Sequence, residues 1–583
     1  MAVAVPSRLG GQQAVPASPA SASLQALLDE AWEFRLAEDP LFATSAGDHR
    51  YDDRLPSMTH ADLDRRAAHD RAALEKLKTV DRAALSASER VSADMFARQL
   101  SDGLADYDFG AYRIPINSDS GFHTDFAELP DRMPFATPKD YENYVARLSA
   151  FPTYVAQEIA LMREGLATGF TLPKVVLEGY DVTMTTHIVA APEKSLFFAP
   201  FRKYGPGVPA AEQARLTEAG RKAVMGGAVA GYRTLADFMR TEYVPRARTT
   251  IGASQLPRGK AYYAHLVKAF TTLDVTPEQV HEIGRQEVLR IRAEMDAVIA
   301  KTGFQGNFAA FLAFLRTDPR FYPKTGEDLL KDAAYIAKRM DGQLPSLFGK
   351  LPRLPYGVEP VPAHLAPKYT SGRYIAAPID GTRAGEYWVN TYALDKRTLY
   401  TLEALTLHEA VPGHHLQIAL QQEMTGLPPF RRFADVGAFI EGWALYAERL
   451  GLEAGFYKDP YSDFGRLTYE MWRACRLVVD TGIHAQGWTR AEAVEYLESH
   501  TALSTHEVGT EIDRYIAWPG QALCYKMGEL KIRELRKKAE EALGARFDVR
   551  AFHDVVLANG AVPLSVLEQQ VNDWVAVAAR GPA

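Results

Sequence analysis

Eleven residues, Leu407 to Gln417 (LHEAVPGHHLQ), constrain this chain more than any other stretch. Three histidines and a glutamate stand among apolar residues, interrupted by Pro412-Gly413. Such polar groups are costly to bury unless each finds a partner. A fold that takes this run inside must therefore bring partners to it. Pro412 lacks a backbone donor and clashes with the preceding turn, while Gly413 accepts dihedrals that other residues avoid. A helix carrying His408 is predicted to break or bulge before His414.

Histidine and carboxylate are the ligands of catalytic zinc, and a glutamate beside a ligand is the usual base of zinc hydrolases. The common arrangement, HExxH, sets two histidines four apart on one helical face. Here His408 and Glu409 supply the first half, but the fourth position onward is Pro412. On an unbroken helix His414 would point away from His408, six residues turning through ~600°. His415 would return to the same face about 10 Å further along. A break at Pro412-Gly413 can bring a histidine back. His414 is the preferred second ligand and His415 a supporting or substrate-facing group; the alternative exchanges the two.

The third ligand is Glu441, which lies 27 residues (441 − 414) past His414 in FIEGWALYAERL. It falls on the next long helix, after a turn containing Gly426, Pro428 and Pro429. Glu448, about two turns later on the same face, is placed to orient a ligand histidine. One Zn2+ per chain is the expected cofactor. Glu409 is the expected base, taking a proton from the attacking water and passing it to the leaving amine.

The chain has 583 residues, 47% of them hydrophobic, enough for a large core. Its net charge of −7 (66 − 73) and the lack of a basic block argue against a nucleic-acid partner. Neutral and cationic peptides fit that charge. Cys475 and Cys524 have no zinc-site spacing and read as buried thiols. No run of eighteen apolar residues exists, so no membrane span is expected. Residues 1–22, rich in Ala, Pro and Ser, read as a disordered tail. That tail suits a periplasmic protein whose signal has been removed as well as a cytoplasmic one. The sequence specifies no oligomeric state.

Apolar residues recur at helical spacing from Leu24, and helix starts stand at Thr137-Pro138, Thr276-Pro277, Thr325 and Thr489. The texture changes near residue 344, where repeated prolines forbid long helices. Gly385 to Tyr392 (GEYWVNTY) reads as a short strand or hairpin ahead of the metal helix, which starts at Asp395. It is either structural or an edge strand that binds the substrate backbone; Asn390 at its end is a candidate substrate-facing group. Arg473, Arg476, Asp480 and His484 read as helix-packing pairs or as a network behind the metal. The fold expected is mainly α: one large multi-helix unit with an internal cleft, an N-terminal half over 23–343 and a metal-binding half over 344–583.

LHEAVPGHHLQ, EGWALYAERL, CRLVVDTGIH and RYIAWPGQALCYKMGELKI together resemble a bacterial family known as domain of unknown function 885. REGLATGFTLPKVVLEG and TPEQVHEIG extend the likeness over nearly the whole chain. HE…GH with a downstream glutamate also resembles, more distantly, the glutamate-zincin peptidases, which include oligopeptidases and angiotensin-converting enzyme. The segment EIDRYIAWPGQAL is similar to the part of angiotensin-converting-enzyme-like peptidases that carries an Arg-Tyr pair. That likeness implies Tyr515 as oxyanion donor, His506 as a further catalytic hydrogen-bonding group and Arg514 as their neighbour. Lys526 is a candidate for holding a substrate carboxylate. The function implied is a zinc-dependent hydrolase, foremost a metallopeptidase cleaving short peptides. A non-haem iron enzyme using the same two histidines and one carboxylate and a zinc-containing binding protein without turnover are the rival expectations.

Overall fold

Ser18 opens the first helix, its hydroxyl accepting the Ser21 amide, and Pro19–Glu38 (α1) follows. A cap followed by proline starts a helix ahead of its apolar stripe. Residues 19–22 are therefore helical, not tail. Residues 1–17 lie outside the described residues, which in this computed structural model are 18–118, 120–363, 365–366, 369–377 and 383–580. The hydroxyl caps read from the sequence all form. Thr137 caps Pro138–Thr168 (α2), and Thr276 caps the long helix Pro277–Thr302. Thr325 and Thr489 likewise accept amides at their helix starts. Gly259–Thr271 is α3 and Pro277–Thr302 is α4.

Three short strands follow: β1 (Tyr356–Pro360), β2 (Gly372–Ile375) and β3 (Gly385–Val389). Their order is β1-β3-β2, with β1 parallel and β2 antiparallel to β3. GEYWV is thus the central strand, not an edge, and is paired on both sides. Gly385, Tyr387 and Val389 alternate inward along it. The antiparallel edge is β2. Leaving β3, the chain turns sharply, and Arg397 ties back to the Tyr392 carbonyl. The helix that carries His408 begins at Leu402 rather than at Asp395, after two 3-10 turns.

The remaining helices that carry the argument are Leu402–Glu409 (α5), His414–Gln422 (α6), Gly437–Glu453 (α7), Pro460–Thr481 (α8), Thr505–Ala517 (α9) and Cys524–Leu543 (α10). From Phe464 to Thr481 every residue of α8 is buried. A helix buried all round is the pillar of a large core. Its charges must find partners, and they do: Glu470 binds Lys526, Arg476 binds Glu511, and Arg466 binds Asp463. Helices α7 and α10 cross at Gly442 and Gly528. A Cβ on Gly528 would lie 1.8 Å from the Ala438 carbonyl oxygen, so only glycine permits this approach.

One apolar core runs across residue 344, joining Leu24, Phe151 and Met295 to Leu407, Trp443 and Leu567. A cavity of about 1420 Å³ separates N-terminal helices from the segment after β2, with Trp32, Phe42, Tyr154, Ala377, Gln422 and Phe433 in its walls. Cys475 and Cys524 are buried and free. Among the described residues no helix is long and apolar enough to cross a membrane.

Candidate metal centre

Helix α5 ends at Glu409 and α6 starts at His414, so the break falls where Pro412 and Gly413 require it. The Gly413 amide donates to the Leu407 carbonyl, and the Trp443 indole donates to the Pro412 carbonyl at 2.8 Å. A Cβ on Gly413 would lie 1.9 Å from the His408 carbonyl oxygen. This fold-back brings the His408 and His414 rings to 4.7 Å, their planes nearly perpendicular.

Glu441, one residue before the glycine crossing on α7, completes the cluster. Its Oε2 lies 3.5 Å from His408 Nε2 and 3.5 Å from His414 Nε2. The three ligand atoms all lie within 4.8 Å of one another. Two tetrahedral zinc ligands at ~2.05 Å would stand roughly 3.3 Å apart. The observed spacing suits atoms converging on one shared ion better than hydrogen bonds, whose usual length is nearer 2.9 Å. Glu441 Oε2 is buried without a hydrogen-bond partner, as expected of an atom whose partner is an ion. This donor set therefore fits a divalent metal.

Supporting groups surround it. His408 Nδ1 meets Glu448 Oε1 at 2.8 Å, and Arg473 stands 3.5 Å from the same oxygen. Burial favours the neutral His408 ring, but Glu441 and Glu448 outweigh it and raise its pKa to about 9. Glu441 also pays a burial penalty, yet the two histidines hold it well below the usual carboxylate range. Glu409 Oε2 accepts the Tyr374 amide at 2.8 Å, which ties β2 to the end of α5. His415 turns away from the cluster. Its Nδ1 meets the Tyr374 hydroxyl at 2.9 Å, its ring packs on Tyr356, and burial lowers its pKa to about 4.

Most of the other expected site residues have partners of their own. Tyr515 is 1% exposed, and its oxygen accepts from Trp472 Nε1 at 2.9 Å and Arg476 Nε at 2.8 Å. His506 is exposed on α9, half a turn out of phase with Tyr515. Nine residues separate them (515 − 506), about 900° of helix. Lys526 is fully buried against Glu470 and Glu529 at 2.9 Å and Glu287 at 3.0 Å. Burial lowers an ammonium pKa, but these carboxylates raise it overall. Its charge is consumed by packing α4, α8 and α10 together. Asn390 is also structural, donating to the Ala366, Tyr369 and Thr370 carbonyls. Arg514 binds Gln521 at 2.8 Å and the Tyr525 hydroxyl at 3.3 Å.

Five further residues neighbour the centre. Tyr374 and Arg373 sit in a Pro-rich stretch that reads as irregular. Asp435 lies in the field of Glu441 and His414, its carboxyl raised by burial and by Glu441. Tyr525 stands beside Arg514 and under Arg476, whose guanidinium is 4.1 Å from its ring centroid. Cys524, next to it, lies in the field of Glu441.

A family model described as a bacterial protein of unknown function (DUF885) matches residues 40–571. The chain is similar to the crystal structure of a presumed lipoprotein from Colwellia psychrerythraea, at 29% identity and TM-score 0.89, over 96% of this chain and 100% of that one. It shares its fold with a presumed lipoprotein of unknown function from Shewanella oneidensis, at 20% identity and TM-score 0.71, over 95% and 99% of the two chains. No curated protein matches it.

Proposed function

We propose that this chain, which belongs to the bacterial family of unknown function DUF885, is a zinc-dependent hydrolase, foremost a metallopeptidase acting on short peptides. One observation carries the reading: His408 Nε2 and His414 Nε2 converge on the buried Glu441 Oε2, which has no hydrogen-bond partner, with Glu409 next to His408 in the chain. Zinc in such a site supplies a Lewis acid that polarises a carbonyl and lowers the pKa of water.

The chain's own groups do the rest. Glu448 holds His408 in the tautomer that presents Nε2 to the ligand cluster. The Tyr374 amide fixes one oxygen of Glu409 and leaves the other to take a proton from water and deliver it to the leaving nitrogen. Tyr525, 7% exposed and flanked by arginines, replaces Tyr515 as the hydroxyl that donates to the carbonyl oxygen as it gains charge. The likeness to a presumed lipoprotein supports an exported setting.

Elemental analysis of purified protein tests the core claim. One zinc per chain is expected, lost in His408→Ala and in Glu441→Ala. Glu409→Gln is expected to keep zinc and lose at least ~100-fold in turnover of a peptide library. Normal turnover in that variant overturns the mechanism. Iron in place of zinc would favour the facial-triad reading, and zinc without turnover a binding role.

A further inference from the structure

Arg373 lies on the edge strand β2, one residue before the amide that holds Glu409. Neighbouring side chains on a strand point to opposite faces. Tyr374 turns inward to His415, and Arg373 turns outward, its guanidinium 5.6 Å from the Tyr369 ring centroid. Among the described residues no carboxylate is in salt-bridge contact with it. The charged and polar groups in its field are Tyr369, Glu409, Tyr525 and Arg514.

Arg514 approaches the same place from α9. Its Nη1 stands 3.5 Å from Glu511, but Arg476 already binds Glu511 at 2.9 Å. Four guanidiniums therefore gather near Tyr525: Arg476 and Arg473 face its ring at 4.1 and 5.9 Å, Arg514 donates to its hydroxyl, and Arg373 has it in its field, against two carboxylates, Glu511, which Arg476 and Arg514 share, and Glu409, in the field of Arg373. Like charges brought together cost free energy unless an anion joins them. Guanidinium forks match a carboxylate in both shape and charge. Lys526, the cation that the sequence offers for this purpose, has no capacity left.

We propose that Arg373 and Arg514 hold a carboxylate of the substrate, so that the enzyme acts on short peptides carrying a free carboxylate close to the bond it cleaves. The proposal rests on the hydrolase reading above. Either a C-terminal carboxylate or an acidic side chain could supply the group, and the test separates them.

Matched short peptides are prepared with a free C-terminus, with a C-terminal amide, and as an amide with aspartate at the last position. Zinc-loaded protein is expected to favour a carboxylate-bearing form by at least ~10-fold in kcat/KM, mostly through KM. Preference for the first form alone marks the terminal carboxylate, and preference for the third marks the side chain. Arg373→Ala and Arg514→Ala are expected to erase the preference at unchanged zinc content, and Arg373→Lys to keep part of it. Equal cleavage of acid and amide by the wild type overturns the proposal. So does an Arg373→Ala variant whose kcat falls alike on all forms with the preference intact, which would make the arginine a positioning group for Glu409. If no peptide is cleaved, the hydrolase reading fails by itself. Calorimetry with the same peptides on zinc-loaded Glu409→Gln protein then decides the arginine site. Tighter binding of the acid, lost in Arg373→Ala, sustains it, and equal or absent binding overturns it.

Discussion

His408 is engaged at both ring nitrogens, and the partner that is not a ligand is the easier one to remove. A carboxylate behind a ligand histidine sets the tautomer and increases ring basicity. Glu448→Gln is expected to weaken zinc binding ~10–100-fold while the helical signal by circular dichroism stays unchanged. A competitive chelator titration measures this, and an unaltered dissociation constant would remove Glu448 from the site. The two tyrosines separate by the same logic. Tyr515→Phe leaves Trp472 Nε1 and Arg476 Nε buried without their acceptor, at about 1–3 kcal/mol for each unsatisfied group. That variant should melt earlier. Tyr525→Phe should melt nearly normally and lose ~100-fold in kcat. The reverse pattern would return the oxyanion role to Tyr515. Lys526 shows why single residues mislead: an isolated lysine reads as a free cation, because nothing near it in the chain says that Glu287 and Glu470 will meet it.

At the scale of elements, the break between α5 and α6 is what brings the His414 ring beside that of His408. It is legible in the sequence because proline and glycine act on their own backbone. Helix starts are legible for the same reason, each cap lying within three residues of the amide it satisfies. The sheet is not. Strand pairing belongs to two distant segments, and the Gly, Pro and Arg content of Tyr356–Pro360 and Gly372–Ile375 hides them. GEYWV therefore reads as a strand without revealing that it is central, or that β2 would carry Glu409's amide partner. That Glu441 joins the two histidines is legible from its helix, but the Gly442–Gly528 crossing that positions it is not. The break itself can be tested. Gly413→Ala forces a methyl against the His408 carbonyl, which is backbone and cannot swing aside. A loss of about 1–3 kcal/mol in stability is expected, together with loss of zinc as His414 leaves the cluster. Wild-type zinc content in that variant would show that the fold-back tolerates a side chain.

For the whole molecule, buried titratable groups set the pH at which the pillar helix and its surroundings hold together. Asp480 on α8 accepts the Tyr263 hydroxyl of α3 at 2.5 Å and the Gly520 amide at 3.1 Å, joining N-terminal and C-terminal halves without any cation. Burial pushes its carboxyl up to about 7 against those hydrogen bonds, and burial likewise raises Glu158 and Glu507 to about 7. A carboxyl raised on folding contributes stability that is complete below its unfolded pKa, near 4, and is lost as pH rises through about 7. The buried histidines run the other way. His123 and His553 fall to about 4 and His484 to about 3 through burial, so their contribution is complete above about 6.5 and is lost as pH falls. The two sets oppose each other between about pH 4 and about pH 6.5, and above that, of these two sets, the carboxyls alone still change. Replacing one carboxyl isolates its share. Between about pH 5 and about pH 8 the wild type should lose on the order of 2–3 kcal/mol relative to Asp480→Asn, read from urea midpoints. The asparagine keeps an acceptor for Tyr263 and Gly520 but has no proton to lose. A gap between the two proteins that stays constant with pH would mean that Asp480 ionises as readily in the folded core as in water, and that a cation or solvent reaches the junction between the halves.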